Sequence, residues 1–264
     1  MNKILSLFLC LFFTAGCTKK NENALKVAAS PMPHAQMLKQ VQPVLKKQGI
    51  ELKIIEVDDY QIPNRSLAEK EVDANFFQHI PFLEEQKTDF NYPLICFAKI
   101  HLEPMGLYSK KINQLTDLKT NDLVAIPNDP TNEYRALMLL KEADLITFAN
   151  GISRKITIAN IRTNRLQLRF KEVDAALLPR TLDDVTLAAI PTNFALQAQL
   201  NPKNALVLES TDSPYANIIA IREGDENNEK LLALKKAMLS DEMRKYIETE
   251  YKGSIIPVLK DCND

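Results

Sequence analysis

Residues 124–140 read VAIPNDPTNEYRALMLL, and this stretch identifies the fold class. The apolar run 124–126 is typical of a buried strand. Asp129 followed by Pro130 predicts a helix start, because Asp is a favoured cap and Pro a favoured first helical residue. A strand that turns directly into a helix is the repeating unit of α/β proteins. The stretch therefore predicts an α/β fold.

The same stretch contains a candidate anion-binding site. A helix start offers free N–H groups and a positive dipole end, which favour a carboxylate. Arg135 follows Thr131 by four residues and Asn132 by three, so the three share one helical face. An arginine there can hold a carboxylate with two parallel hydrogen bonds. The alternative is a capped helix with a solvent-facing arginine. If Arg135 binds a ligand, Arg135→Ala is expected to weaken binding and leave the stability of the empty protein nearly unchanged.

Outward from this stretch, short apolar segments and longer amphipathic ones alternate, which is typical of α/β proteins with largely parallel sheets. We predict strands at residues 25–29, 52–57, 72–77, 93–100, 123–126, 172–178, 186–190 and 206–208, a returning segment at 215–221, and helices at 37–48, 64–71, 131–144, 191–200 and 226–251. The chain is long enough for two lobes. We place lobe 1 at residues 24–107 plus 216–264 and lobe 2 at 108–215, joined by two hinge crossovers. A cleft between lobes is a common place for a small ligand.

The beginning of the chain predicts export. Lys3 is followed by an apolar run at 4–13 and by small residues before Cys17, as in a secretion signal. The run is well short of the roughly 20 residues that span a bilayer. The small residues before Cys17 resemble a bacterial lipobox, although Thr14 stands where the usual lipobox has Leu. We therefore predict a signal peptide at 1–17, acylation of Cys17 and a flexible tether at 18–23, with ordinary signal cleavage as the alternative.

Composition and missing motifs exclude several classes of function. The 33 basic and 34 acidic residues give a net charge of −1, so nothing favours a nucleic-acid partner. None of the six glycines forms GxGxxG or GxxxxGK[ST], the two common phosphate-binding loops. The three histidines are scattered along the chain without a CxxC motif, and no GxSxG is present. We predict no cofactor, no metal site and no catalysis.

A second candidate site follows the third predicted strand. Alternation along a strand sends Phe76 and Phe77 to opposite faces, so that one packs in the core and the other faces a cavity. Together with Tyr60, His79 and Phe82, Phe77 would suit a thioether or another soft apolar group, because sulfur–aromatic contacts are favourable. The alternative is an ordinary aromatic core.

Two cysteines remain after Cys10, in the signal, and Cys17. Cys96 lies in a predicted strand and Cys262 in the C-terminal tail. Two unpaired thiols are the simpler interpretation, and a disulfide that ties the tail to the strand is the alternative.

Five motifs together resemble the NlpA/MetQ family of methionine-binding lipoproteins, the substrate-binding components of methionine ABC importers. They are DYQIPNRSLAEKEVDANFFQHIPFLEEQ from Asp59, EPMGLYSKKINQLTDL from Glu103, VAIPNDPTNEYRALMLL from Val124, LPRTLDD from Leu178 and SPYANIIAIRE from Ser213. The resemblance covers nearly the whole mature chain.

The resemblance implies a two-lobed type II periplasmic-binding-protein fold that closes around free methionine, outside the membrane, as a monomer that serves an ABC permease with a cytosolic ATPase. It places Asn128, Asn132 and Arg135 at the ligand's carboxylate and amino group. It places Tyr60, Phe77, His79, Phe82 and Tyr108 around the thioether. Asn75 would support these side chains from behind.

One segment departs from the family. Residues 190–195 read IPTNFA, and Pro191 stands where the family has an asparagine that contacts the ligand. Proline has no N–H and no polar side chain, so Asn193 or a water must substitute, or the ligand differs. L-methionine, D-methionine and a methionine-containing dipeptide stay open. The alternative function is an envelope surface lipoprotein with a changed ligand or no transport role.

Overall fold

The computed structural model describes residues 24–149 and 156–262. The predicted signal peptide, Cys17 and the tether lie outside the described residues. The strands are β1 (Ala24–Ala29), β2 (Glu51–Glu56), β3 (Ala74–His79), β4 (Leu94–Leu102), β5 (Gly106–Tyr108), β6 (Leu123–Pro127), β7 (Ile146–Phe148), β8 (Ile161–Asn164), β9 (Arg169–Val173), β10 (Leu187–Ile190), β11 (Val207–Leu208), β12 (Ala216–Arg222) and β13 (Ile256–Asp261). The α-helices are α1 (Gln36–Lys47), α2 (Ile62–Ala68), α3 (Ile80–Phe90), α4 (Pro130–Glu142), α5 (Thr192–Gln197), α6 (Glu229–Met238) and α7 (Asp241–Tyr251).

The first sheet has six strands in the order β13-β4-β12-β3-β1-β2. Alternation along β1 turns Val27 toward α1, α6 and α7, and turns Ala28 toward Leu67 of α2 and Leu83 of α3. Helices therefore cover both faces of this sheet.

The second sheet has five strands in the order β11-β5-β10-β6-β9. On β6, Val124 and Ile126 pack with apolar residues of α4, whereas Ala125 faces Phe194 of α5. The pair β7 and β8 forms a separate two-stranded sheet.

The chain passes between the two sheets twice. The outgoing crossing is 103–105, between β4 and β5, and the return crossing is 209–215, between β11 and β12. The backbone N–H of Glu209 donates to the carbonyl of Met105 at 2.9 Å, so the crossings lie side by side. The predicted boundary between 107 and 108 falls inside β5, which belongs to the second sheet, and we propose the two crossings as the lobe boundaries.

Four details of the predicted fold are wrong. The sheets are mixed, since β12 and β13 in the first sheet and β5 and β11 in the second run antiparallel to their neighbours. The predicted helix 226–251 is two helices, because the Ser240 side chain caps a new helix by accepting from the Met243 N–H. Segment 172–178 contains only the end of β9, followed by a 3₁₀ turn. Helix α3 and strands β5, β7, β8 and β13 were not predicted.

The cysteine interpretation is corrected as well. Cys96 and Cys262 form a disulfide, with their Cα atoms 5.9 Å apart. The preceding strand, β13, pairs antiparallel with β4, which contains Cys96. The bond therefore joins the C-terminal strand covalently to the first sheet.

Among the described residues, no helix is both long and apolar enough to cross a membrane.

Candidate functional site

A narrow pocket lies between the two sheets, beside the outgoing crossing. Seven predicted site residues line it: Tyr60, Phe77, His79, Phe82, Asn132, Arg135 and Asn193. Five others complete the wall: Gln78, Glu103, Pro191, Thr192 and Asn217. Residues that are far apart in the chain thus meet around one space.

One end of the pocket is aromatic. The ring of Tyr60 lies 5.9 Å from that of Phe77 and 5.7 Å from that of Phe82, and Phe77 and Phe82 are 5.8 Å apart edge to face. These centroid distances are typical of favourable aromatic pairs. The Tyr60 hydroxyl donates to Asn193 Oδ1 at 2.8 Å, which links the two lobes across the pocket.

The start of α4 differs from the predicted anion-binding site. The Asp129 carboxylate accepts from the Asn132 backbone N–H at 3.0 Å and from Asn132 Nδ2 at 2.9 Å. The protein's own Asp129 therefore caps the helix. The groups that α4 offers to the pocket are the side chains of Asn132 and Arg135, one turn into the helix.

His79 joins α4 to the first sheet. Its Nδ1 accepts from the Phe82 backbone N–H at 3.1 Å, so Nε2 carries the proton and donates to Asn132 Oδ1 at 3.1 Å. Burial, with Arg135 nearby, lowers the pKa of His79 to about 3. The imidazole is neutral at physiological pH and acts as a hydrogen-bonding bridge between the lobes.

Arg135 is buried and already has an anionic partner. Its Nε and Nη2 donate to the Glu209 carboxylate at 2.8 Å and 2.5 Å, and Nη2 also donates to the Glu103 carbonyl at 2.5 Å. The Tyr215 ring covers the guanidinium, with its centroid 4.5 Å from Cζ. Among the described residues, no hydrogen bond involves Nη1. The alternative of a solvent-facing arginine is wrong, and the Nε–Nη2 edge is unavailable for the predicted double hydrogen bond to a ligand.

Asn193 presents an unsatisfied donor at the pocket. Its side chain is buried, Oδ1 accepts from Tyr60, and Nδ2 has no hydrogen-bond partner within the described part of the chain. The adjacent Thr192 hydroxyl donates to the carbonyl of Pro104 in the outgoing crossing at 2.5 Å. Pro191, buried at the start of α5, contributes only apolar surface. Two residues after Pro191, the Asn193 amide is therefore a donor that the chain can offer to a ligand in the pocket.

Two of the histidines that looked scattered in the sequence meet behind the pocket. His101 Nε2 lies 2.6 Å and His34 Nε2 3.2 Å from Glu103 Oε1, and His34 Nε2 is 2.9 Å from Asn217 Oδ1. Burial raises the pKa of Glu103 and lowers the pKa of His34 to about 4 and that of His101 to about 3. Both imidazoles are therefore neutral at physiological pH.

This cluster is the one group of metal-ligand type among the described residues, with donor atoms within 4.8 Å of one another. The contacts favour hydrogen bonding instead. Metal-bound histidines usually donate their second ring N–H to a partner. His101 Nδ1 is buried without a hydrogen-bond partner among the described residues, which matches a tautomer that donates from Nε2 to Glu103.

The family model of the NlpA lipoproteins matches residues 25–259. The chain belongs to the NlpA lipoprotein family. It is similar to the methionine-binding lipoprotein MetQ of Bacillus subtilis, with 38% identity over 98% of this chain and 97% of that protein.

Two solved structures support the same assignment. A nutrient binding protein from Burkholderia cenocepacia bound to methionine is 40% identical, with a TM-score of 0.86 over 89% of this chain and 99% of that one. A periplasmic substrate-binding protein of an ABC transporter from Coxiella burnetii is 41% identical, with a TM-score of 0.84 over 89% of this chain and 100% of that one. The predicted family resemblance and the two-lobed fold are confirmed.

Three predicted site residues of this NlpA lipoprotein do not line the pocket. Asn75 is buried behind it, where its Oδ1 accepts from the pocket residue Gln78 at 3.0 Å. Tyr108 packs in the core of the second lobe, and its buried hydroxyl has no partner within the described ranges. Asn128 is exposed at the start of the turn before α4 and borders a neighbouring groove.

Sequence reasoning missed four polar pocket residues of this NlpA lipoprotein, which are Gln78, Glu103, Thr192 and Asn217. Glu103 follows an apolar strand directly, and Asn217 stands inside the apolar run ANIIAIR of β12. A polar residue in a buried strand needs a partner, and this is the signal by which Asn217 could have been found. Both residues contact the histidine cluster and the pocket together.

Proposed function

We propose that this protein is the extracytoplasmic binding component of a methionine ABC importer, which captures methionine between its lobes and delivers it to a permease driven by a cytosolic ATPase. The observation that carries the proposal is the polarity of the pocket. Hydrogen-bond donors for a carboxylate, Arg135 and Asn193, lie in the same small space as an aromatic group. The methionine-binding names of the relatives point to the same ligand.

The ligand's carboxylate would accept from Arg135 Nη1 and Asn193 Nδ2. Leaving a buried donor unsatisfied costs about 1–3 kcal/mol, so a ligand that supplies an acceptor to Asn193 Nδ2 gains that free energy on binding. This contact would also replace the asparagine that Pro191 displaces.

The ligand's ammonium group would donate to acceptors on the opposite wall. Glu103 and Asn217 both line the pocket, and Glu103 Oε1 and Asn217 Oδ1 also contact the histidines behind it. Asn132 lies on the α4 side, with its Oδ1 engaged by His79.

The thioether would lie against Tyr60, Phe77 and Phe82. Sulfur–aromatic contacts stabilise such packing by about 0.3–1.5 kcal/mol each. Tyr108 and Asn128 do not line the pocket and are left out of the proposed direct contacts, whereas Asn75 would act through Gln78.

The proposal includes a lipid anchor on Cys17 that holds a monomer at the outer side of a membrane, with no catalysis, no cofactor and no nucleic-acid partner. The family is one of lipoproteins, which supports acylation. Each buried methylene of an acyl chain adds about 0.8 kcal/mol, so several chains together give a stable anchor.

The test uses the signal-less protein in two steps. Small molecules released by denaturation are first identified by mass spectrometry. The stripped protein is then titrated calorimetrically with L-methionine, D-methionine and Gly-Met. Micromolar or tighter binding of one of them is expected. Three flat titrations with nothing released would contradict the proposal and favour the surface-lipoprotein alternative.

A further inference from the structure

Glu209 lies at the beginning of the return crossing, outside the pocket, and its carboxylate accepts hydrogen bonds from three N–H groups. Two come from Arg135, at 2.8 Å and 2.5 Å, and the third is the backbone N–H of Met105 at 3.2 Å. The Glu209 side chain is only 11% exposed. One carboxylate therefore contacts the α4 arginine and both crossings.

Arg135 is consequently held on three sides. Glu209 engages its Nε–Nη2 edge from the return crossing, and the Glu103 carbonyl accepts from Nη2 in the outgoing crossing. Tyr215, at the end of the return crossing, covers one face of the guanidinium. Nη1 is the guanidinium nitrogen that none of these contacts engages.

A different position for this arginine is close by. Arg135 and Glu209 also border a second groove, whose wall includes Tyr134, Glu142 and Asp212. Without a fixed partner on the Nε–Nη2 edge, the long arginine side chain has room to turn toward this groove and its carboxylates.

We propose that Glu209 is a positioning residue, which holds Arg135 so that Nη1 meets the ligand's carboxylate and which connects carboxylate recognition to both crossings. The role rests on the proposed function. It differs from a purely structural ion pair in one respect. A positioning role affects ligands that have a carboxylate, whereas a structural role affects every ligand of the pocket alike.

The experiment titrates the signal-less protein with L-methionine and with L-methioninol, which has an alcohol in place of the carboxylate. Glu209→Gln keeps the size of the side chain and removes its charge. We expect it to weaken L-methionine binding by roughly tenfold or more, since a charge-assisted contact is lost, and to leave L-methioninol binding within about twofold.

Two further variants complete the design. Glu142→Gln is the matched control, an exposed carboxylate of the same groove, and is expected to bind both ligands as the wild type does. Glu209→Asp keeps the charge but is one methylene shorter, so it cannot span Arg135 and Met105 together. It is expected to show the same selective loss, and it replaces the Gln variant if that one fails to fold.

Equal losses for both ligands, or L-methionine binding unchanged in the Gln and Asp variants, would overturn the positioning role while the proposed function stands. A wild-type protein that binds no methionine would overturn the proposed function and this role with it.

Discussion

Replacing Arg135 by alanine is expected to destabilise the empty protein as well as to abolish tight ligand binding. From the sequence alone, only the second effect is expected. The difference comes from Glu209, whose carboxylate is 11% exposed and pairs with an arginine that is 4% exposed. Arg135→Ala leaves this carboxylate unpaired in a largely buried position.

The size of the effect follows from the geometry. Removing one partner of a buried ion pair costs about 3–5 kcal/mol, because the remaining charge has lost both water and its counter-ion. For a domain of this size, 1 kcal/mol shifts the melting temperature by about 2–4 °C. The melting temperature of the empty protein should therefore fall by roughly 6–20 °C.

The assay is thermal unfolding of the ligand-free protein, followed by circular dichroism, for three variants. Arg135→Ala should show the full loss. The double variant Arg135→Gln with Glu209→Gln should recover most of it, because no lone charge remains. Arg180→Ala, an exposed arginine, is the control and should melt as the wild type does.

A melting temperature of Arg135→Ala within about 2 °C of the wild type would refute the reasoning, because leaving a buried carboxylate unpaired should lower the unfolding free energy by more than this shift represents. A double variant less stable than Arg135→Ala would also refute it, because the loss would then not come from the unpaired charge.

Three further predictions follow from other contacts. Reducing the disulfide between Cys96 and Cys262 should lower the unfolding free energy by on the order of 5 kcal/mol, because the bond closes a loop with a sequence separation of 166. Urea unfolding with and without reductant measures this loss, and an unchanged midpoint would count against it. All three histidines are buried, and burial lowers their pKa values to about 3 or 4. The unfolding free energy should therefore be highest above the unfolded-state histidine pKa of about 6.5 and should fall as the pH drops below it. At pH 5 the loss should be on the order of 2 kcal/mol per histidine. The raised pKa of Glu103 in the folded protein opposes this loss of stability only in part, because it concerns one group against three histidines. Equal unfolding midpoints at pH 7 and pH 5 would contradict the prediction. Asn193→Asp keeps the acceptor for Tyr60 but replaces the unsatisfied donor with an anionic oxygen, so calorimetry should show methionine binding weakened at least about tenfold, with the exposed Asn204→Asp as an unaffected control.

Much of the fold was predictable because its signals are local. The start of α4 was predicted within one residue, since Asp129 and Pro130 act on the N–H groups of the next turn. The division of 226–251 into α6 and α7 was missed, because apolar residues continue at helical spacing across Ser240 and mask the new cap.

The candidate site was predictable in part for a related reason. The aromatic residues and the α4 side chains stand in motifs whose spacing is visible in the chain. Glu103 and Asn217 were missed, because each is a single polar residue in or beside an apolar strand, and its importance depends on what lies opposite.

The sequence by itself determined the α/β class, the family, and most residues of the aromatic and polar ends of the pocket. Caps, apolar spacing and motifs act within a few residues, so they can be recognised in the chain. Only the tertiary structure decided which edge of Arg135 is free, that Cys96 meets Cys262, and that His34 and His101 converge on Glu103. Each of these is a contact between segments that different strands and helices bring together, 74 residues apart for the Arg135–Glu209 pair and 166 for the disulfide. No local rule specifies such partners, since they depend on how the two sheets and the two crossings pack.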